Sequence, residues 1–124
     1  MVQEQGCIDI LNNGKSFRVF IEEDKTGLRT DASWLSENVL KGILEISDPR
    51  NDPKLSYIPG HTDITKYSKE KITFALPPTP IDQIIAVSNA GKTLPPKSTW
   101  VEPKLRSGLF IYEFGMHPHP TKSQ

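Results

Sequence analysis

The sequence predicts an α+β domain: a small single domain with a mixed or antiparallel sheet, an N-terminal β-hairpin and two main helices. Three observations lead there. Alternating apolar residues flank an Asn-Gly step near the start. Two later segments repeat apolar residues at three- and four-residue spacing behind helix-start signals. Short β-branched and aromatic runs bounded by proline lie between and after them. With 124 residues there is room for one modest core. A composition of 35% hydrophobic and 24% charged residues is that of a globular chain.

The elements follow in order. CIDILNNGKSFRVFIEE reads as the hairpin, with strands near Cys7–Leu11 and Phe17–Glu22 joined through Asn12, Asn13 and Gly14. DASWLSENVLKGILEI reads as an amphipathic helix. Leu35, Val39 and Ile43 form its stripe, Leu40 and Leu44 flank them, and Asp31 or Ser33 caps the start. Gly42 weakens it slightly, and DPRNDP ends it because the residue before a proline disfavours helix.

Leu55–Ile58 is a short strand candidate that stops at Pro59-Gly60, and Lys71–Leu76 is another that stops at Pro77 and Pro78. Thr79 then stands as N-cap, Pro80 at the first helical position and Asp82 at capping-box spacing. Ile81, Ile84 and Ile85, extended by Ser88, make a narrow face on this second helix. Gly91 caps its C-terminal end. Ser107–Phe114 alternates two faces and reads as the final strand, and residues 115–124 as a loose tail.

Composition bounds the function classes. Fifteen basic and fifteen acidic side chains give zero net charge, so nucleic acid is not the expected partner. No apolar run reaches the roughly 18 residues that span a membrane. The opening MVQEQG shows no basic region followed by an apolar stretch, so no secretory signal is expected. Cys7 is the only cysteine. It forms no internal disulfide and reads as a small buried apolar residue on a strand, which favours a reducing, cytoplasmic setting.

The chain has eleven prolines, clustered between Leu76 and Pro103, and the densest chemistry lies among them, in TLPPKSTWVEPKLRSGLF. Pro95 and Pro96 fix φ at two successive positions, so Lys97, Ser98 and Thr99 are displayed on a stiffened backbone. A lysine ammonium and two hydroxyls suit a phosphate or carboxylate. Trp100 offers a flat face for stacking, and Lys104 and Arg106 extend the positive field. The plainer reading is a rigid connection anchored by the tryptophan, with solvated lysines.

Other motifs carry less. NAGKT, Asn89–Thr93, lacks the first glycine of a phosphate-binding P-loop, since Ala86 stands in its place. His117 and His119 have no supporting cysteine or acidic pair nearby, so no metal site is expected. His61 beside Asp63 is the pattern of a general base with an orienting carboxylate, and equally of a solvent-exposed turn. Glu22, Glu23 and Asp24 read as a solvated acidic end.

LPPKSTWVEPKLRSGLFI resembles the closing signature of the bacterial and archaeal domain-of-unknown-function 1015 family. Upstream, ITFALPPTPIDQIIAVSNAGKTLPPKST and TDASWLSENVLKGILEISDPRNDPKLSYIPG resemble that family's strand–helix pattern and its DPR-ending helix. The similarity runs from about Ile8 to Phe114. Val101 departs from a usual second aromatic, and the segment between Gly60 and Ile72 is shorter than usual. Family members are longer, and their N-terminal part carries an Asp-Gly-His-His-Arg motif similar to that of ParB/sulfiredoxin-like proteins, including kinases that phosphorylate free serine.

No such motif occurs in this sequence. The chain is therefore expected to correspond to the C-terminal portion of such a protein, inactive alone and needing a separate chain or domain for the missing half. The resemblance implies a phosphate-, nucleotide- or substrate-binding role, with ATP or ADP and magnesium as the associated groups. Lys97 would neutralise phosphate, Ser98 and Thr99 would donate hydroxyls, Trp100 would be a wall, and Lys104 and Arg106 would be secondary charges. The alternative is a non-catalytic interaction or structural module with an exposed apolar patch.

Overall fold

Asn13 and Gly14 take φ angles of 48° and 75°, the positive pair that matches a two-residue turn to the right-handed twist of its strands. The computed structural model describes residues 4–99. Strands β1 (Cys7–Asn12) and β2 (Lys15–Phe20) pair antiparallel from Cys7 opposite Phe20 to Asn12 opposite Lys15. In that register Asp9 faces Arg18, and the two side chains join through a pair of hydrogen bonds of 2.7 and 3.0 Å. The Arg18 guanidinium draws the Asp9 carboxyl below its usual range, chiefly by hydrogen bonding.

Strand β3 (Thr73–Ala75) adds to the other edge of β1, antiparallel, giving a three-stranded sheet in the order β2-β1-β3. As the central strand, β1 carries the most buried apolar residues, Cys7 and Ile8. Burial raises the Cys7 thiol above its ordinary pKa, as for an apolar core residue rather than a reactive thiolate. β2, at the edge, leaves Phe17 and Phe20 exposed.

Helix α1 (Asp31–Trp34) continues directly into a π-helix at Leu35–Lys41. The N-cap is Thr30, whose hydroxyl accepts from the Ser33 N–H at 3.0 Å. Asp31 and Ser33, the caps expected from sequence, sit inside the helix. The Asp31 carboxylate instead accepts from the Gly6 N–H at 3.1 Å and ties the helix to the start of β1.

The wider π turn changes which apolar residues share a face. Leu35 and Leu40, five apart, are both buried and form a cluster with Ile8 and Ile46. Trp34, Val39, Leu55 and Phe74 pack against that cluster. Ile43, expected on the buried stripe, is 71% exposed. The helix stops before the prolines are reached. Glu45 adopts a left-handed φ of 56°, and the Ile46 N–H turns back to the Leu40 carbonyl at 2.8 Å. That bond satisfies an open helix end and buries Ile46 beside Leu40. Gly42 is required rather than merely tolerated, because a Cβ there would lie 2.6 Å from the Asn38 carbonyl oxygen.

Two further expectations change. Leu55–Ile58 is not a strand. Its first N–H bonds locally to the Asp52 carbonyl, Leu55 packs toward the core, and Tyr57 donates its hydroxyl to the Pro49 carbonyl at 2.8 Å. The second helix, α2 (Ile81–Asn89), has Pro80 at its N-cap with no side-chain cap, so Thr79 lies outside it.

The inward face of α2 is carried by Val87 and the half-buried Ile84, while Ile81 and Ile85 are exposed. Gly91, with φ of 66°, follows the C-cap Ala90 as expected. Gln83 reaches the Arg29 carbonyl at 3.2 Å and holds α2 to the body. Among the described residues no helix is long and apolar enough to cross a membrane. The expected final strand at Ser107–Phe114 and the tail lie outside the described residues.

Candidate functional site

Beyond α2 the chain enters the proline-rich stretch and bends at Pro95–Ser98. The Ser98 N–H approaches the Pro95 carbonyl at 3.3 Å, and the Ser98 hydroxyl donates to the same oxygen at 2.7 Å. Between them Lys97 has a φ of 58°. That is the left-handed third position of a type II-like turn, where glycine or asparagine is usual. A lysine held there is locally strained, and strain of this kind concentrates where a side chain must be aimed. Lys97 and Thr99 are exposed and Ser98 is half-buried. With its hydroxyl proton engaged on Pro95, Ser98 presents a lone pair rather than a donor.

A second segment meets this turn. In DPRNDP the Asp48 carboxylate accepts from the Arg50 N–H at 3.1 Å and from the Asn51 side chain at 2.8 Å. These bonds, Asn51 first, hold its carboxyl below the usual range. The Tyr57 hydroxyl, bonded to Pro49, pins the phenol ring over the same loop. Burial, with the Asp48 charge second, raises the Tyr57 pKa.

The result is two adjoining grooves. One, of about 370 Å³, is lined by Arg50, Tyr57, Pro96 and Lys97. The other, of about 340 Å³, runs past Arg50 and Pro96 to Ser33, Ser36, Glu37 and Thr93. Arg50 and Pro96 therefore belong to both walls. The π-helix supplies Ser36 and Glu37, the DPR loop Arg50, and the post-α2 turn Lys97. Chemically the first groove offers two cations beside an aromatic face, which suits an anionic group carried on a planar or apolar body. Asp48, near Arg50, offsets part of that positive field.

Of the residues singled out from sequence, Lys97, Ser98 and Thr99 stand together in the turn, with Lys97 on the groove. Trp100, Lys104 and Arg106 lie outside the described residues, as do His117 and His119. The sequence reading missed Arg50, Tyr57 and Glu37. The DPR triplet was the available signal for Arg50, since an arginine directly after a proline in an Asx-stabilised loop is displayed rather than packed.

His61 does not gain an orienting carboxylate. Asp63 caps a short 3-10 turn (Ile64–Lys66) and spends one oxygen on the Thr65 N–H and hydroxyl, at 3.1 and 2.7 Å. Asp24 is more than a solvated charge. It accepts from the Thr26 hydroxyl and from the N–H groups of Thr26, Leu28 and Arg29. These bonds, the Thr26 hydroxyl first, hold its carboxyl at about 2. Among the described residues no three His, Cys, Asp or Glu side chains gather to hold a metal ion.

Compared with known proteins, the chain matches no family model, no curated protein and no solved structure.

Proposed function

We propose that the chain binds a phosphate-bearing small molecule, with Arg50 and Lys97 as the neutralising charges and Tyr57 as the wall against its body. The observation that carries this reading is the meeting of Arg50 and Lys97 on one groove, each presented by a loop with its own local hydrogen bonds. The left-handed backbone at Lys97 supports it. The resemblance stated above supports a kinase-like context, in which ATP, ADP or phosphorylated serine is the ligand and a separate chain or domain supplies the catalytic motif.

Arg50 and Lys97 fit the phosphates of a nucleotide, and Tyr57 fits its base. The proposal concerns binding, with magnesium brought by the phosphates of a nucleotide ligand. Trp100, Lys104 and Arg106 remain proposed contributors to the same ligand. Titration calorimetry with ATP, ADP and phosphoserine tests the reading. Heat that is lost in Lys97→Ala supports it, and no heat at millimolar ligand contradicts it.

A second reading, a non-catalytic interaction module, is favoured by the exposure of Ile81 and Ile85 one turn apart on α2. It requires concentration-dependent self-association or partner binding that Ile81→Glu abolishes. A monomer unaffected by that change contradicts it.

A further inference from the structure

Among the described residues the sheet runs β2-β1-β3, so the outer edge of β2 has no neighbouring strand there. One bond fixes which backbone groups line that edge. The Ile21 N–H donates to the Gly6 carbonyl, just before β1, at 2.7 Å. Ile21 therefore faces β1, and alternation turns Lys15, Phe17 and Val19 the same way. The N–H and C=O groups of Ser16, Arg18 and Phe20 point outward.

Native sheet edges are commonly guarded by charge or proline. On β2, however, Phe17 and Phe20 are 57% and 74% exposed, one on each face of the sheet. The Arg18 guanidinium is drawn inward across the strand to Asp9. Lys15 is then the remaining cation, at the start of the strand, and exposed Glu22 and Glu23 follow its end. The edge is positive at one end, aromatic along its length and negative at the other. Such an order is complementary to an antiparallel copy of itself.

We propose that β2 docks a second copy of this chain, antiparallel about a two-fold axis at Val19, so that the two sheets become one. A two-fold across an antiparallel pair sets one residue opposite its own counterpart, and charge selects which. Centred on Arg18, two guanidinium groups stand opposite each other. Centred on Phe20, Lys15 meets Lys25 of the second copy, and centred on Phe17 it meets only Val19. Centred on Val19, Lys15 stands opposite Glu23 of the second copy, and Phe17 opposite Ile21 of that copy. Arg18 and Phe20 then exchange backbone hydrogen bonds with Phe20 and Arg18 of the second copy, which satisfies their outward groups. This surface does not depend on the phosphate-binding reading.

Sedimentation equilibrium of the full chain tests the pairing. The parent chain is expected to form a concentration-dependent dimer. Lys15→Glu and Glu23→Lys should each weaken it roughly ten-fold, because attraction turns to repulsion at two symmetric pairs. Combining the two reversals should restore affinity to within about two-fold of the parent. No contact inside one chain gives that rescue, since positions 15 and 23 lie roughly 26 Å apart along an extended chain. Phe20→Lys, at an exposed position, should also dissociate the dimer by setting a lysine against Arg18 of the second copy. A chain that stays monomeric up to about 1 mM overturns the proposal, whatever else covers the edge. A dimer that ignores both charge reversals, or one that Ile81→Glu abolishes, overturns it equally.

Discussion

Arg50 and Lys97 border one groove although they belong to loops on opposite sides of β3 and α2 in the chain. Arg50 follows the helix that packs on β1, and Lys97 follows α2. Neither loop alone has the makings of a site. Together they present two cations beside the Tyr57 ring, which is tied by its hydroxyl to the residue preceding Arg50.

Lys97→Gly is expected to stabilise the fold while weakening anion binding. A non-glycine residue in left-handed backbone costs roughly 1–2 kcal/mol, and glycine's greater unfolded-chain entropy returns roughly 0.5–1 kcal/mol of that. Urea denaturation should show a gain of about 0.5–1 kcal/mol over the parent chain. Lys97→Ala removes the charge but keeps the strained φ, so it should show no such gain. A stability gain of equal size in both variants would mean that backbone strain at Lys97 is not the cause.

Gly42→Ala should destabilise, against the usual helix preference for alanine. The added methyl would meet the Asn38 carbonyl oxygen at 2.6 Å, and relieving that contact means opening the end of the π-helix. A loss of about 1–3 kcal/mol is expected from overpacking of this kind. The same variant should weaken protection of the Ile46 amide from hydrogen exchange, because its bond to Leu40 closes the same end. A neutral or stabilising Gly42→Ala would show that the segment relaxes to an ordinary α-helix without cost.

Asp24 sets part of the acid limb of stability. Its carboxyl is held at about 2 by hydrogen bonds within the loop, against an ordinary value of 3.8. A depressed folded-state pKa means that the stabilisation is fully present above the unfolded value and is lost as pH falls through the folded one. Between about pH 4 and pH 2 the parent chain should lose stability more steeply than Asp24→Asn. Above pH 5 the variant should be the less stable of the two, and identical pH profiles would contradict this role.

The parts of the fold that were readable from sequence are those with a local cause. The Asn-Gly step announces the hairpin, and Gly91 announces the end of α2, because each demands a positive φ that few residues accept. The β3 strand was readable from its β-branched and aromatic run between proline stops. What could not be read depends on contacts distant in sequence. The π-helix follows from the packing of Leu35 and Leu40 against Ile8, and a three- and four-residue periodicity cannot announce it. Asp31 and Ser33 both have the residue type of an N-cap, but Thr30 fills that position. The Gly6 N–H, close only after folding, claims the Asp31 carboxylate instead.

Leu55–Ile58 has strand composition, but its chain turns locally and Tyr57 is drawn to Pro49. The site shows the same division. The stiff display of Lys97 was legible in Pro95-Pro96, whereas its meeting with Arg50 on one groove was not.

The most direct test of the site is a double-mutant cycle on ADP binding, using Arg50→Ala, Lys97→Ala and the pair together. If both cations hold the same phosphate group, each single change should weaken binding by about ten-fold, the scale of one charge-assisted hydrogen bond. The double change should then cost measurably less or more than the sum of the two, since groups sharing a ligand atom couple. ADP affinity unaltered by either single substitution, with ADP still bound, would contradict the claim that Arg50 and Lys97 form one anion site.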